Sequence, residues 1–152
     1  YVPSGRPPKE RLGLAAREML AQIGIQVEIQ TVPWDKFISD IEGKAAFYVD
    51  GFYSRPAVDP SIYPWFHSTG SWNSTLWNYK NLQIDELLDQ ARAATSDDER
   101  ARLYKDFQAL AMENPPSVIP YVVNHANAVR STVKGFKSSP MMWLDLRETT
   151  VN

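Results

Sequence analysis

Ten of the chain's 18 aromatic residues fall within the 33 positions 47–79, interleaved with Ser, Thr and Asn side chains and one guanidinium, Arg55. Rings of this kind offer rigid apolar faces on which a small molecule can stack, and the few polar groups among them set its orientation. The chemistry this segment can do is recognition, not bond cleavage. From Asp50 to Asn81 regular periodicity stops and Pro56, Pro60 and Pro64 intervene, so the stretch reads as a long loop, and ordered loops of this length in compact domains are usually functional. Phe52, Tyr53 and Arg55 are its best-placed members, because they follow an apolar run that reads as a strand, and α/β sheets bind ligands beyond the ends of their strands. The competing reading is that the rings fill a core beneath the loop.

Other chemistries find less support. There is no Gly-rich phosphate loop, no G-x-S-x-G elbow and no H-E-x-x-H. His67 and His125 lie 58 residues apart without a ligand-spaced companion. Ligand type alone would allow His67 to hold a divalent ion with Asp50 or Asp59, but nothing in the spacing favours it. Ser, His and Asp occur without the spacing that would single out a triad. Asp97, Asp98 and Glu99 read as the acidic first turn of a helix, and Asn73-Ser74-Thr75 matches a glycosylation sequon short enough to occur by chance. The absence of Cys removes disulfides, thiolate metal sites and cysteine nucleophiles together. A formal net charge of −2 offers no electrostatic footprint for nucleic acid. The expectation is a binding protein, not an enzyme, with no cofactor and no metal.

The elements that must position these residues are legible by period. Leu12, Ala15, Ala16, Met19, Leu20 and Ile23 recur at helical spacing, with Pro8 in the first turn and Gly24 beyond the last. Ile25, Val27 and Ile29 alternate with polar residues as a half-buried strand, and residues 45–49 read as a strand buried on both faces. Between them Trp34, Phe37, Ile38 and Ile41 make a short helix closed by Gly43. Ile84, Leu87, Leu88 and Ala91 share one helix face. Ser96-Asp97-Asp98-Glu99 is a capping box opening another helix, which carries Leu103, Phe107, Leu110 and Ala111 and stops at Pro115-Pro116. Residues 118–123 and 128–133 read as strands, with a turn at Gly135. The class is α/β in a single domain of 152 residues. The opening Tyr1-Val2-Pro3 has neither an initiator Met nor a targeting segment, and no apolar stretch nears the roughly 18 residues of a membrane span, so the chain reads as a piece of a longer one.

Several spaced residues resemble the C-terminal lobe of family 5 extracellular solute-binding proteins, the oligopeptide, dipeptide and nickel-type receptors of bacterial ABC importers. They are Leu20-Ala21-Gln22-Ile23-Gly24-Ile25, Val27-Glu28-Ile29, Trp34-Asp35-Lys36-Phe37, Gly51-Phe52-Tyr53 with Asp59-Pro60, Asn73, Tyr79, Asn81 and Asp85-Glu86-Leu87-Leu88. Arg100-x-x-Leu103-Tyr104, Pro120-Tyr121 and Val133-x-Gly135-Phe136 complete the series. The resemblance implies one lobe of a type II periplasmic-binding-protein-like fold, a mixed sheet flanked by helices. A second, N-terminal lobe of the same chain would be missing, and membrane permease subunits would be partners at the periplasmic or extracellular face. It implies ligand contacts at Trp34, Gly51, Phe52, Tyr53 and Ser54. Peptide receptors of this family place an Asp shortly afterwards for the peptide's ammonium; here Arg55 stands near that position and Asp59 a few residues later. A guanidinium repels an ammonium and favours a carboxylate or phosphate, unless Asp59 takes the ammonium or Arg55 pairs internally with Asp50 or Asp59.

The expected function is capture of a peptide or peptide-sized polar solute for import. A carbohydrate-binding module with an aromatic stacking site is the alternative, and an enzyme fragment whose catalytic residues lie elsewhere is the other rival.

Overall fold

A computed structural model describes residues 1–52, 55–123, 126–139 and 143–152. Strand β1 (Val2–Pro3) leads through helix α1 (Pro7–Ala21) to strand β2 (Thr31–Val32), and the two strands pair in parallel, Val2 opposite Thr31 and Pro3 opposite Val32. Parallel strands need such a crossover. On the other side of β1 the Tyr1 amino group donates to the Phe47 carbonyl at 3.0 Å, and the Val49 N–H donates to the Tyr1 carbonyl at 2.9 Å. Those are the two bonds of a parallel bridge, so β1 lies between β2 and residues 47–49.

After β2, helix α2 (Trp34–Lys36) runs into a π-helical turn, Phe37–Ile41. Phe37 and Ile41 are its buried pair. Gly43 then turns the chain at φ +71°, where a Cβ would stand 1.9 Å from the Thr75 carbonyl oxygen; only glycine fits. Helix α3 (Val58–Phe66), a second π-helical turn (Asn73–Trp77), helix α4 (Leu82–Ala93) and helix α5 (Asp97–Glu113) follow. Strands β3 (Val133–Lys134) and β4 (Thr150–Val151) pair antiparallel.

The core lies where α3, α4 and α5 meet. Phe66, Ile84, Leu88 and Phe107 form one buried cluster, and Ala91, Ala94 and Leu103 form a second beside it. Full burial of side chains of this size contributes about 1.5–3 kcal/mol each. The expected Ser96 cap of α5 accepts from the Glu99 N–H, and α4 is capped by Asn81, whose side chain accepts from the N–H groups of Gln83 and Ile84.

Four expectations need correction. The second strand begins only after residues 25–30, because its partner β1 is two residues long and a ladder reaches no further than its shorter strand. Residues 45–49 are not buried on both faces: Phe47 is 58% exposed and only residues 47–49 bond to Tyr1. Residues 118–123 and 128–132 form no strand, and Val118 and Val122 are 88% and 82% exposed; β-branched residues form a strand only where a neighbour takes up their N–H and C=O groups. The supposed long loop contains α3. Pro60 sits in its first turn, where an N–H has no intrahelical partner to lose, and Pro64 is tolerated near its end.

Candidate functional site

The N-terminus of α1 carries the first group of site residues. Gly13 lets the helix lie close to β1, since a Cβ there would sit 2.6 Å from Val2 Cγ2. That approach brings Lys9 to the Asp50 carboxylate in a half-buried ion pair. Trp34, at the start of α2, is held from several sides. Phe37 stacks on it with centroids 5.8 Å apart, the Arg6 guanidinium carbon lies 4.3 Å from its ring centroid, and Lys9 Nζ lies 4.7 Å away. Gly51 is open, with only Lys9 Cε, 3.9 Å from a notional Cβ, nearby. Sequence reasoning missed Glu42, which lies beside Asp50. Burial first, then a hydrogen bond to Asp50 and its charge, raise the Glu42 carboxyl to about pH 7, with Lys9 opposing. The Glu42 carboxyl is thus far easier to protonate in the fold than in the free chain.

Phe52 belongs to a second group. It packs 4.5 Å from Trp65 and 6.0 Å from Trp77, which in turn meets Trp65 at 5.2 Å and the edge of Phe66 at 5.1 Å. Much of the aromatic segment therefore packs on itself over the α4–α5 core. Trp72, stacked 5.7 Å from Trp65, remains 48% exposed. Asn73 organises this segment: its Nδ2 donates to the His67 and Tyr79 carbonyls at 2.9 and 3.0 Å, and its Oδ1 accepts the Tyr79 N–H at 2.7 Å. A side chain so buried and so fully bonded is not a glycan acceptor. The Tyr48 hydroxyl accepts from the Gly43 N–H and donates to the Leu76 carbonyl, tying the two π-helical turns together.

Arg55 and Asp59 form the third group, and they do not meet in an ion pair. The Arg55 N–H donates to Ser61 Oγ at 2.7 Å, and that hydroxyl faces the carbonyls of Arg55 and Ala57 at 3.0 and 2.9 Å. Backbone on both sides of Pro56 is thereby fastened to α3. Arg92 of α4 takes Asp59 bidentately, Nε to Oδ1 at 2.7 Å and a terminal nitrogen to Oδ2 at 2.9 Å. The same guanidinium lies 3.2 Å from the Tyr63 ring centroid. Its bond to Asp59 keeps the guanidinium charged even more firmly than usual. Asp50 belongs to Lys9 and Asp59 to Arg92, so the exposed Arg55 guanidinium has no carboxylate partner among the described residues. Tyr53 and Ser54 lie outside the described residues, as does His125.

His67 is buried between α3 and α4. Its Nδ1 accepts the Thr69 N–H at 3.1 Å, which places the proton of the neutral ring on Nε2, 3.5 Å from Asp89 and 4.0 Å from Asp85. Its ring stacks on Tyr63 at 4.2 Å. Among the described residues no three His, Asp or Glu side chains are arranged to hold an ion. No described helix is long and apolar enough to cross a membrane.

No protein-family model matches the chain. Among curated proteins it is 28% identical over 134 residues to the glutathione-binding protein GsiB of Escherichia coli K12, covering 82% of this chain and 26% of that protein. It is 23% identical over 146 residues to the dipeptide-binding protein DppE of Bacillus subtilis, covering 95% of this chain and 26% of the relative. The chain thus spans about a quarter of the length of the curated relatives it matches. Among solved structures, the oligopeptide-binding protein AppA of Bacillus subtilis, in complex with a nonapeptide, superposes with a TM-score of 0.80 at 23% identity, over 99% of this chain and 30% of AppA. The chain therefore has the fold of this solved binding protein, that of the periplasmic-binding-protein class, and its sequence is similar to that of the curated binding proteins GsiB and DppE.

Proposed function

We propose that residues 1–152 form the C-terminal ligand-binding lobe of a longer two-lobe receptor, the solute-binding component of a bacterial ABC importer. It works in the periplasm or on the outer face of the cytoplasmic membrane. The lobe closes with its N-terminal counterpart around a peptide or peptide-sized polar solute and presents it to permease subunits. This is binding coupled to hinge closure, with no bond made or broken. The observation that carries the reading is the superposition on AppA, a protein solved with a nonapeptide bound, over 99% of the chain. The curated relatives, named for binding glutathione and dipeptides, support the same solute class.

Within the lobe we assign solute contact to Trp34, Gly51, Phe52 and Arg55, and by their place in the sequence to Tyr53 and Ser54. Arg55 meets an anionic group on it, which a guanidinium grips bidentately. Asp59, already held by Arg92, is a poor candidate for a solute ammonium.

Native mass spectrometry of the full-length receptor, followed by denaturation, tests the class: a defined peptide-sized adduct is expected that is lost on unfolding. An empty protein that is also not stabilised by peptides would overturn it. In the same receptor, Arg55→Ala is expected to weaken binding of the released solute by about tenfold or more without lowering the melting temperature. Unchanged affinity in calorimetry would remove Arg55 from the site.

A further inference from the structure

Three charged residues lie between positions 50 and 61: Asp50, Arg55 and Asp59. Two are neutralised by cations from other elements, Asp50 by Lys9 of α1 and Asp59 by Arg92 of α4. Among the described residues Arg55 has no carboxylate partner, and it is left as the uncompensated charge of the segment. Its backbone N–H is fastened to Ser61 Oγ at 2.7 Å, and Ser61 is two residues past Asp59 on α3, so Arg55 is held beside the start of the helix that carries Asp59. Freed of Arg92, Asp59 would be open to Arg55, four residues before it in the chain. What prevents that pairing is the bidentate hold of Arg92, whose guanidinium is also braced against the Tyr63 ring at 3.2 Å.

We infer that Arg92 is a specificity-determining residue acting at a distance from the solute: by holding Asp59, it keeps the Arg55 guanidinium free for an anionic group, such as the carboxylate of a peptide. The inference rests on the functional reading above and deepens it, naming what sets the charge preference of that site. Arg92 is a positioning residue here, since it acts only through Asp59.

The test uses the full-length receptor and three probes, glutathione, Met-Leu and trialanine, titrated by calorimetry into the parent and variants. In the parent, at least one probe binds, and Arg55→Ala weakens it about tenfold. Arg92→Met is expected to weaken the same probe about fivefold, because Asp59 then competes for Arg55. The double variant Arg92→Met with Asp59→Asn is expected to recover affinity to within about twofold of the parent. Arg102→Met, which removes an equal charge from α5 without freeing Asp59, is expected to change nothing.

Loss of affinity in Arg92→Met that the added Asp59→Asn does not restore would assign Arg92 a merely structural role and overturn the inference. So would a change under about twofold in Arg92→Met. No binding of any probe by the parent, or an Arg55→Ala variant that binds like the parent, would instead overturn the functional reading itself.

Discussion

At the scale of single residues, the side chains that shape the site are those whose polar atoms are committed elsewhere. Asn73 gives all its hydrogen bonds to backbone groups of His67 and Tyr79, and so holds the ring-rich turn without touching a solute. Glu42 is committed to a proton. Its carboxyl stays protonated up to about pH 7 in the fold, against an ordinary value of 4.5. Between those two values the folded chain therefore holds more protons than the unfolded one, and stability falls as pH rises. The contribution is fully present below about pH 4.5 and lost by passage through pH 7. The melting temperature of the parent, relative to that of Glu42→Gln, should thus decline between pH 5 and pH 8. Thermal melts showing a constant difference across that range would overturn the raised Glu42 carboxyl. None of this was visible in the sequence, because Glu42 and Asp50 flank an apolar run and acquire each other only when the turn at Gly43 folds back.

At the scale of elements, local pattern and tertiary packing each decide a distinct part. Helices α1, α4 and α5 were legible because caps, periodicity and breakers all lie within the helix. Helix α3 was not, since its prolines read as breakers until their positions in the first and last turns are known. The approach of α1 to β1 depends on Gly13, which the helical pattern alone would treat as a weak point. Alanine there adds about 1 kcal/mol of helix propensity. It also drives a Cβ to within 2.6 Å of Val2 Cγ2, on a stiff β-branched side chain that is 3% exposed. Overpacking of that kind costs about 1–3 kcal/mol, so Gly13→Ala should lower stability by about 1 kcal/mol in urea unfolding. Adding Val2→Ala should reduce that loss by making room. A Gly13→Ala variant more stable than the parent would show that α1 can move off the sheet freely.

At the scale of the whole molecule, burial is uneven. Ile84, Leu88, Leu103 and Phe107 are at most 3% exposed at the α4–α5 contact, whereas Val118, Val122, Trp143 and Leu144 are each at least 72% exposed. Hydrogen exchange should follow this division: amides of Ile84, Leu88, Leu103 and Phe107 about a thousandfold slower than an unstructured chain, and amides of residues 118–123 close to it. Protection above about a hundredfold at residues 118–123 would show that this run pairs as a strand after all. The sequence by itself determined the α/β class, the helices α1, α4 and α5 with the Ser96 cap, the segment rich in rings and the family resemblance, because each of these is written in short-range spacing or colinear motifs. Only the tertiary structure decided which apolar runs become strands, that Trp34 and Phe52 are packed from within, and that Asp59 belongs to Arg92 while Arg55 has no carboxylate partner among the described residues. The reason is physical: strand pairing and charge pairing join groups tens of residues apart, and no local pattern records which of several eligible partners the folded chain brings within reach.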